Sequence, residues 1–151
     1  MGRISVETTR QIPVEAARVF TSIADFKTHR PQWLLPAYSE LQVEQGGIGA
    51  GTIVRYRLKV GPRERAYRMQ IAEPKPGVML TEQDATSSLL TTWTVSPNGT
   101  GCTVAVASQW NGAGGIGGFF ERLFAPRGLR RLYDEQLARL ASYAADHSDH
   151  A

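Results

Sequence analysis

From Tyr38 to Trp110 the chain alternates apolar and polar side chains in run after run, and turn residues separate each run from the next. Side chains of a strand point alternately to its two faces, so an alternation sustained this long commits the middle of the chain to a sheet with one buried face. The runs fall at 38–44, 52–60, a segment carrying Tyr67, Met69 and Ile71, 78–84, 88–96 and 102–110. Val54, Tyr56, Leu58 and Val60 oppose Ile53, Arg55, Arg57 and Lys59. Leu89, Thr91, Trp93 and Val95 share one face, as do Val104, Val106, Ser108 and Trp110. "EQGGIGAG", Gly61 with Pro62, "EPKPG" and "SPNGTG" supply the turns, the last through an Asn-Gly pair suited to tight hairpins. Six strands in succession predict an antiparallel meander.

Residues 4–10 alternate in the same way and add a first strand. Between it and the meander, "IPVEAARVFTSIADF" places Val14, Ala17, Phe20 and Ile23 on one helical face, with Pro13 near the first turn and Glu15 favourable to the helix dipole. Pro31 and Pro36 then break the pattern, leaving a connector with at most one further helical turn. Residues 116–146 read as helix, restarted at Pro126, with an apolar stripe of Leu129, Leu132, Tyr133, Leu137, Leu140 and Tyr143. A one-faced sheet and a one-striped helix bury each other, so the expected class is a two-layer α+β fold.

At 151 residues, with 42% hydrophobic and 21% charged side chains, the chain has enough apolar surface for one core and is expected to form one domain, 1–151. The polar start "MGRISVETTRQ" lacks the apolar core of a signal peptide, and no run reaches the roughly 18 apolar residues of a membrane span. Gly2 does not open a myristoylation motif, because Val6 stands where Ser or Thr is needed. A cytoplasmic protein without stable membrane insertion is expected, as monomer or homodimer. Cys102 is the single cysteine, which excludes an internal disulfide, and His29, His147 and His150 have no ligand spacing. No metal and no cofactor are expected.

"QWNGAGGIGGFFERLF" carries Gly112, Gly114 and Gly117 in the G-x-G-x-x-G spacing of dinucleotide-binding turns, between a strand and a helix. That motif works inside a βαβ unit, and here no parallel strand follows the helix. The glycines are therefore read as a flexible connection, with Phe119 and Phe120 as a docking point, and no nucleotide is expected.

Several segments carry a family resemblance. "IPVEAARVFTSIADFKTHRPQW" combines an opening helix with an Asp and a Pro-x-Trp, and "QGGIGAGTIV" has a glycine-rich turn followed by Gly-Thr. "IAEPKPGVML" has a Glu-Pro turn, and "TTWTVSPNGTGCTVAV" is like a penultimate hairpin. In this order the chain resembles the Bet v 1-like or START (SRPBCC) superfamily, and within it the polyketide cyclase/dehydrase and lipid-transport group. The resemblance covers nearly the whole chain. It implies a helix-grip fold, a curved antiparallel sheet of about seven strands wrapped around a long C-terminal helix. It also implies an internal cavity, with Trp33 in the segment closing one end and the 112–118 loop beside an entrance.

Alternation turns Tyr56, Tyr67, Met69, Trp93, Val106 and Trp110 inward, to meet Phe120, Leu123, Tyr133 and Leu137 from the helix and Trp33 from the connector. Each is either plain core or a ligand contact. Three Trp and several Tyr bring polar edges that need partners when buried, which fits a cavity for a small hydrophobic molecule, lipid or polyketide-like. For catalysis the candidates are Glu82, Tyr67 and Arg68, as acid or base on an enolisable ketone. Alternation nonetheless places Arg68 outside, and Glu82 is expected to pair across strands. An aromatase/cyclase-like enzyme is the alternative reading.

A third reading is a protein-contact domain with little cavity. Arg55, Arg57 and Lys59, with Arg63, Arg65 and Arg68 on the next strand, suggest a basic outer patch. Arg122, Arg127, Arg130 and Arg131 do the same near the start of the last helix. No aromatic platform interleaves with these charges, and the net charge is only +3, so no nucleic acid is expected.

Overall fold

The computed structural model describes residues 3–60, 63–111 and 126–148. Strand β1 (Arg3–Ile12) leads into helix α1 (Ala16–Ala24) and the single-turn helix α2 (Arg30–Trp33). Strands β2 (Tyr38–Gln45), β3 (Ile53–Val60), β4 (Arg63–Lys75), β5 (Met79–Asp84), β6 (Leu90–Asn98) and β7 (Gly101–Asn111) follow, and helix α3 (Pro126–Ser148) comes last. The seven strands form one curved antiparallel sheet in the order β1-β7-β6-β5-β4-β3-β2, so the meander is continuous and β1 closes on its far end.

The alternation holds at the level of single residues. In β7 every second side chain from Cys102 to Trp110 is buried, and β5 and β6 do the same through Leu80, Glu82 and Asp84 and through Thr91, Trp93 and Val95. The final hairpin is as tight as the Asn-Gly signal suggested but shifted by one residue: Asn98 pairs with Gly101, leaving Gly99 and Thr100 as a two-residue loop. Gly99 stands first in that loop with φ +65°, the left-handed conformation that primed hairpin turns require.

Three expectations about facing change. Helix α1 starts at Ala16, and its buried face is Val19, Phe20, Ile23 and Ala24; Ala17 is exposed. On α3, Leu132 and Tyr143 are only half-buried, while Gln136 and Ala144 join Leu129, Tyr133, Leu137 and Leu140 inside. Arg65 pairs in register with Leu58 rather than with the outward basic residues, and its side chain lies on the inner face in an ion pair with the buried Asp84 at 2.8 Å. Parity explains this last change, because positions 65 and 67 share a face and 68 does not.

Three cations of the outer basic patch are paired with carboxylates, while Lys59 is exposed and the side chain of Arg63 lies outside the described residues. Arg55 and Arg68 both reach Glu44, at 3.3 and 2.7 Å, and Arg57 lies 2.6 Å from Glu64. These contacts hold the Glu44 carboxyl below its ordinary value, chiefly through the bond from Arg68. The described part of the last helix leaves Arg130 and Arg131 exposed, while Arg122 and the side chain of Arg127 lie outside the described residues. Among the described residues, no helix is long and apolar enough to cross a membrane, and no group of three His, Cys, Asp or Glu side chains could hold a metal.

Candidate functional site

Helix α3 makes its main approach to the sheet along β1, with further support from α1 and α2. The inner faces of β3 and β5, and the part of β6 that α1 leaves uncovered, are therefore reached by long side chains, and a cavity remains between them. Its sheet wall is Tyr56 from β3, Glu82 from β5, and Thr91 and Trp93 from β6. Tyr133 and Gln136 of α3 lie opposite. Phe26, Arg30 and Leu34 close it from the connector side, and Tyr38 and Leu41 from β2. The cavity volume is about 30 Å³. The cavity is a narrow cleft, wide enough for about two waters.

Arg30 sits at its centre, 4% exposed. Asp25 positions it: its Oδ1 accepts the Lys27 and Thr28 amides, and its carbonyl accepts the Arg30 amide, which starts the turn of α2. The guanidinium lies 4.4 Å from the Phe26 ring centroid, 5.0 Å from Trp33 and 5.1 Å from Trp93, an aromatic enclosure for a cation. Its Nε donates to the Ile23 carbonyl and its Nη2 to Glu82 Oε2 at 2.9 Å. The same carboxylate oxygen accepts the Trp93 indole N–H, also at 2.9 Å. Glu82, 5% exposed, thus has its charge partner on α2 and a cross-strand bond from an indole; the expected cross-strand pairing supplies only the second.

Phenols line the rest. Tyr38 meets Tyr56 edge to face at 5.3 Å, and Tyr56 stacks on Tyr67 at 5.5 Å, with the Arg65 guanidinium 4.4 Å from the Tyr67 ring. Burial pushes Tyr38 and Tyr56 well above the ordinary phenol value, reinforced by the nearby Glu82 carboxylate. Burial likewise takes Tyr67 and Tyr133 up to about 12. All four stay protonated at neutral pH. Tyr133 shares a hydrogen bond with Ser108, which in turn bonds Thr91 at 2.6 Å, so a chain of hydroxyls ties α3 to β7 and β6.

The structure sorts the residues singled out from the sequence into groups. Tyr56, Trp93, Tyr133 and Glu82 meet at the cavity. Trp33, Met69, Val106, Trp110 and Leu137 are buried in the hydrophobic core, and Tyr67 stands one ring behind Tyr56. Trp33 still touches the site, edge-on to Trp93 with ring centroids 5.8 Å apart. Arg68 is on the outer face, bonded to Glu44, and drops out of the catalytic candidates. His29 lies outside the cavity with its Nδ1 2.6 Å from the Tyr143 hydroxyl. Phe120, Leu123, the Phe119 docking point and the glycines of 112–118 lie outside the described residues.

Sequence reasoning missed Arg30, Tyr38 and Gln136. The signal for Arg30 was a cation four residues after Phe26 and three before Trp33, which one helical turn brings together. For Gln136 it was a polar residue at a stripe position, one turn after Tyr133.

Comparison with known proteins agrees with this architecture. The NMR structure of the KanY protein superposes with a TM-score of 0.84 at 42% identity, over 96% of this chain and 99% of that one. A Thermus thermophilus protein, TTHA0849, matches at 0.79 and 18%, covering 96% and 99%. The Zhui aromatase/cyclase of a Streptomyces species matches at 0.78 and 12%, covering 97% and 96%; likeness at such low identity speaks for the fold. No curated protein matches the sequence. Residues 3–145, from the first strand into the last turn of the helix that faces the cavity, fit the model of the polyketide cyclase / dehydrase and lipid transport family, and the chain belongs to that family.

Proposed function

We propose that the chain binds a small, largely hydrophobic molecule, lipid or polyketide-like, in the cleft between the sheet and α3. The observation that carries this reading is the placement of Arg30, Glu82 and the phenols where the helix leaves the sheet uncovered. A few convergent polar groups in an otherwise apolar recess are the usual composition of a small-molecule site. Removing a few hundred Å² of apolar ligand from water contributes several kcal/mol at about 25 cal/mol/Å². Because the cleft is narrow, the ligand enters by displacing wall side chains, and the half-buried Leu34 and Leu41 are the apolar ones with room to move.

Trp93 on the cavity wall gives the test. Titration with fatty acids, sterols and aromatic polyketides is expected to produce a saturable change in indole fluorescence for at least one class, with a matching mass shift in native mass spectrometry. Trp93→Phe should remove most of the optical signal and keep the mass shift. A panel in which no compound saturates either readout overturns the proposal.

A catalytic reading rests on Glu82, a carboxylate buried beside a guanidinium and neutral phenols, the kind of setting in which an acid or base acts on a ketone. It predicts turnover of a poly-β-ketone that Glu82→Gln abolishes and Arg68→Ala leaves intact. Turnover that survives Glu82→Gln removes this reading.

A further inference from the structure

Resting on the reading of this cleft as a ligand site, we propose that Gln136 selects a neutral ligand bearing a hydroxyl group, whose O–H it accepts at Oε1. Gln136 is 3% exposed, lies on the wall beside Tyr133, and its Oε1 is buried with no hydrogen-bond partner among the described residues. A carboxamide oxygen only accepts, so what it lacks is a donor. Buried polar atoms left unpaired in a native fold call for an explanation, and a ligand or a displaceable water is the ordinary one. Tyr133, Ser108 and Thr91 bond among themselves, and no described donor comes within hydrogen-bond reach of Gln136 Oε1.

Charge argues for neutrality. Among the described lining residues Arg30 and Glu82 are the charged pair, and they compensate each other at 2.9 Å. A carboxylate ligand either enters as an uncompensated buried charge or takes Arg30 away from Glu82, which strands the latter. A neutral hydroxyl disturbs neither. Both contacts to Glu82 also fall on Oε2, so the second acceptor on this wall, Oε1, takes neither of them.

Three probes of one shape separate the possibilities: 2-naphthol, 2-methoxynaphthalene and 2-naphthoate, titrated calorimetrically into the full chain at pH 7. Wild type is expected to bind 2-naphthol about tenfold more tightly than 2-methoxynaphthalene, the worth of one hydrogen bond to a buried acceptor, and 2-naphthoate most weakly. Gln136→Leu should erase the naphthol preference by weakening naphthol alone, with 2-methoxynaphthalene held within about twofold. If Gln136→Leu does not fold, Gln136→Met is judged by the same ratio. Equal binding of naphthol and its methyl ether by wild type, a naphthoate preference, or a naphthol preference that survives the substitution overturns the role of Gln136 and leaves the cavity standing. Failure of all three probes to bind, with the fatty-acid, sterol and polyketide panel still binding, overturns this inference alone; failure of both sets overturns the cavity reading as well.

Discussion

The inner face of the sheet has two halves built from the same alternation and filled in opposite ways. On the β1–β7 side, Val6, Ile12, Cys102, Val104, Val106 and Trp110 are buried under a helix that runs close along β1. On the β3–β5 side Tyr56, Tyr67, Glu82 and Asp84 stand among the buried Val54, Leu58, Met69, Ile71 and Leu80, and the backbone of α3 stands off. One half is dry core, and the other is a polar, aromatic wall around a cleft. Period two therefore assigns a residue to a face, and the distance of the covering helix decides whether that face becomes packing or site.

The largest effect is expected where the dry half is opened. Trp110 is buried in the core and stands apart from the cleft, so Trp110→Ala should cost about 3 to 5 kcal/mol in denaturant unfolding, the full penalty for an aromatic removed from close packing. A loss below about 1 kcal/mol would show that this half, too, borders a void. Next comes the ion pair of the hollow half. Glu82→Gln leaves Arg30 buried and uncompensated and should cost about 3 kcal/mol, while the double replacement Arg30→Met with Glu82→Leu should recover a large part of it. If the double variant is less stable than Glu82→Gln alone, the pair is structural glue for α2 and the comparison between halves loses its electrostatic side.

These two sites also show what could be read in advance. The inward positions on β6 and β7 followed from parity, whereas β5 was read only as a strand and Glu82 only as pairing across strands. Cavity and core residues could not be separated, because Tyr56 and Val106 obey the same alternation and differ in what packs over them, which no period records. Arg30 escaped because proline-flanked residues carry no period, and its position is set by the Asp25 turn and three rings from separate segments. Arg65 was misplaced by grouping charges along a strand without counting parity. The fold was thus nearly all legible, and the site only where an apolar period pointed at it, as at Trp93 and Tyr133.

Alkaline pH should expose the hollow half selectively. Tyr133 is raised to about 12 by burial, against an ordinary value of 10.0. Above pH 10 the unfolded chain releases this proton and the folded one keeps it, so the stabilisation present below pH 10 is lost as pH climbs towards 12. Tyr133→Phe, with no proton to lose, should be about 2 kcal/mol less sensitive than wild type over that window in urea titrations, at a cost of about 1 kcal/mol at neutral pH for the broken hydroxyl chain. Identical alkaline slopes for the two proteins would mean that the phenol is already wet, and the cleft more open than its narrow volume indicates.

The smallest effect sharpens the comparison from outside. Arg68 sits directly behind this wall, between the inward Tyr67 and Met69, but on the solvent face, where its bond to Glu44 is exposed. Exposed ion pairs contribute little because solvent screens the attraction and two long side chains must be held still. Arg68→Ala should therefore shift stability by less than about 0.5 kcal/mol. It should leave ligand affinity unchanged, and raise the titration midpoint of Glu44 towards the ordinary carboxylate value in NMR, since its main hydrogen bond is gone. A ligand affinity that falls with Arg68→Ala would mean that the wall transmits strain through the strand. The site would then have to be enlarged to include the outer face that parity assigns to solvent.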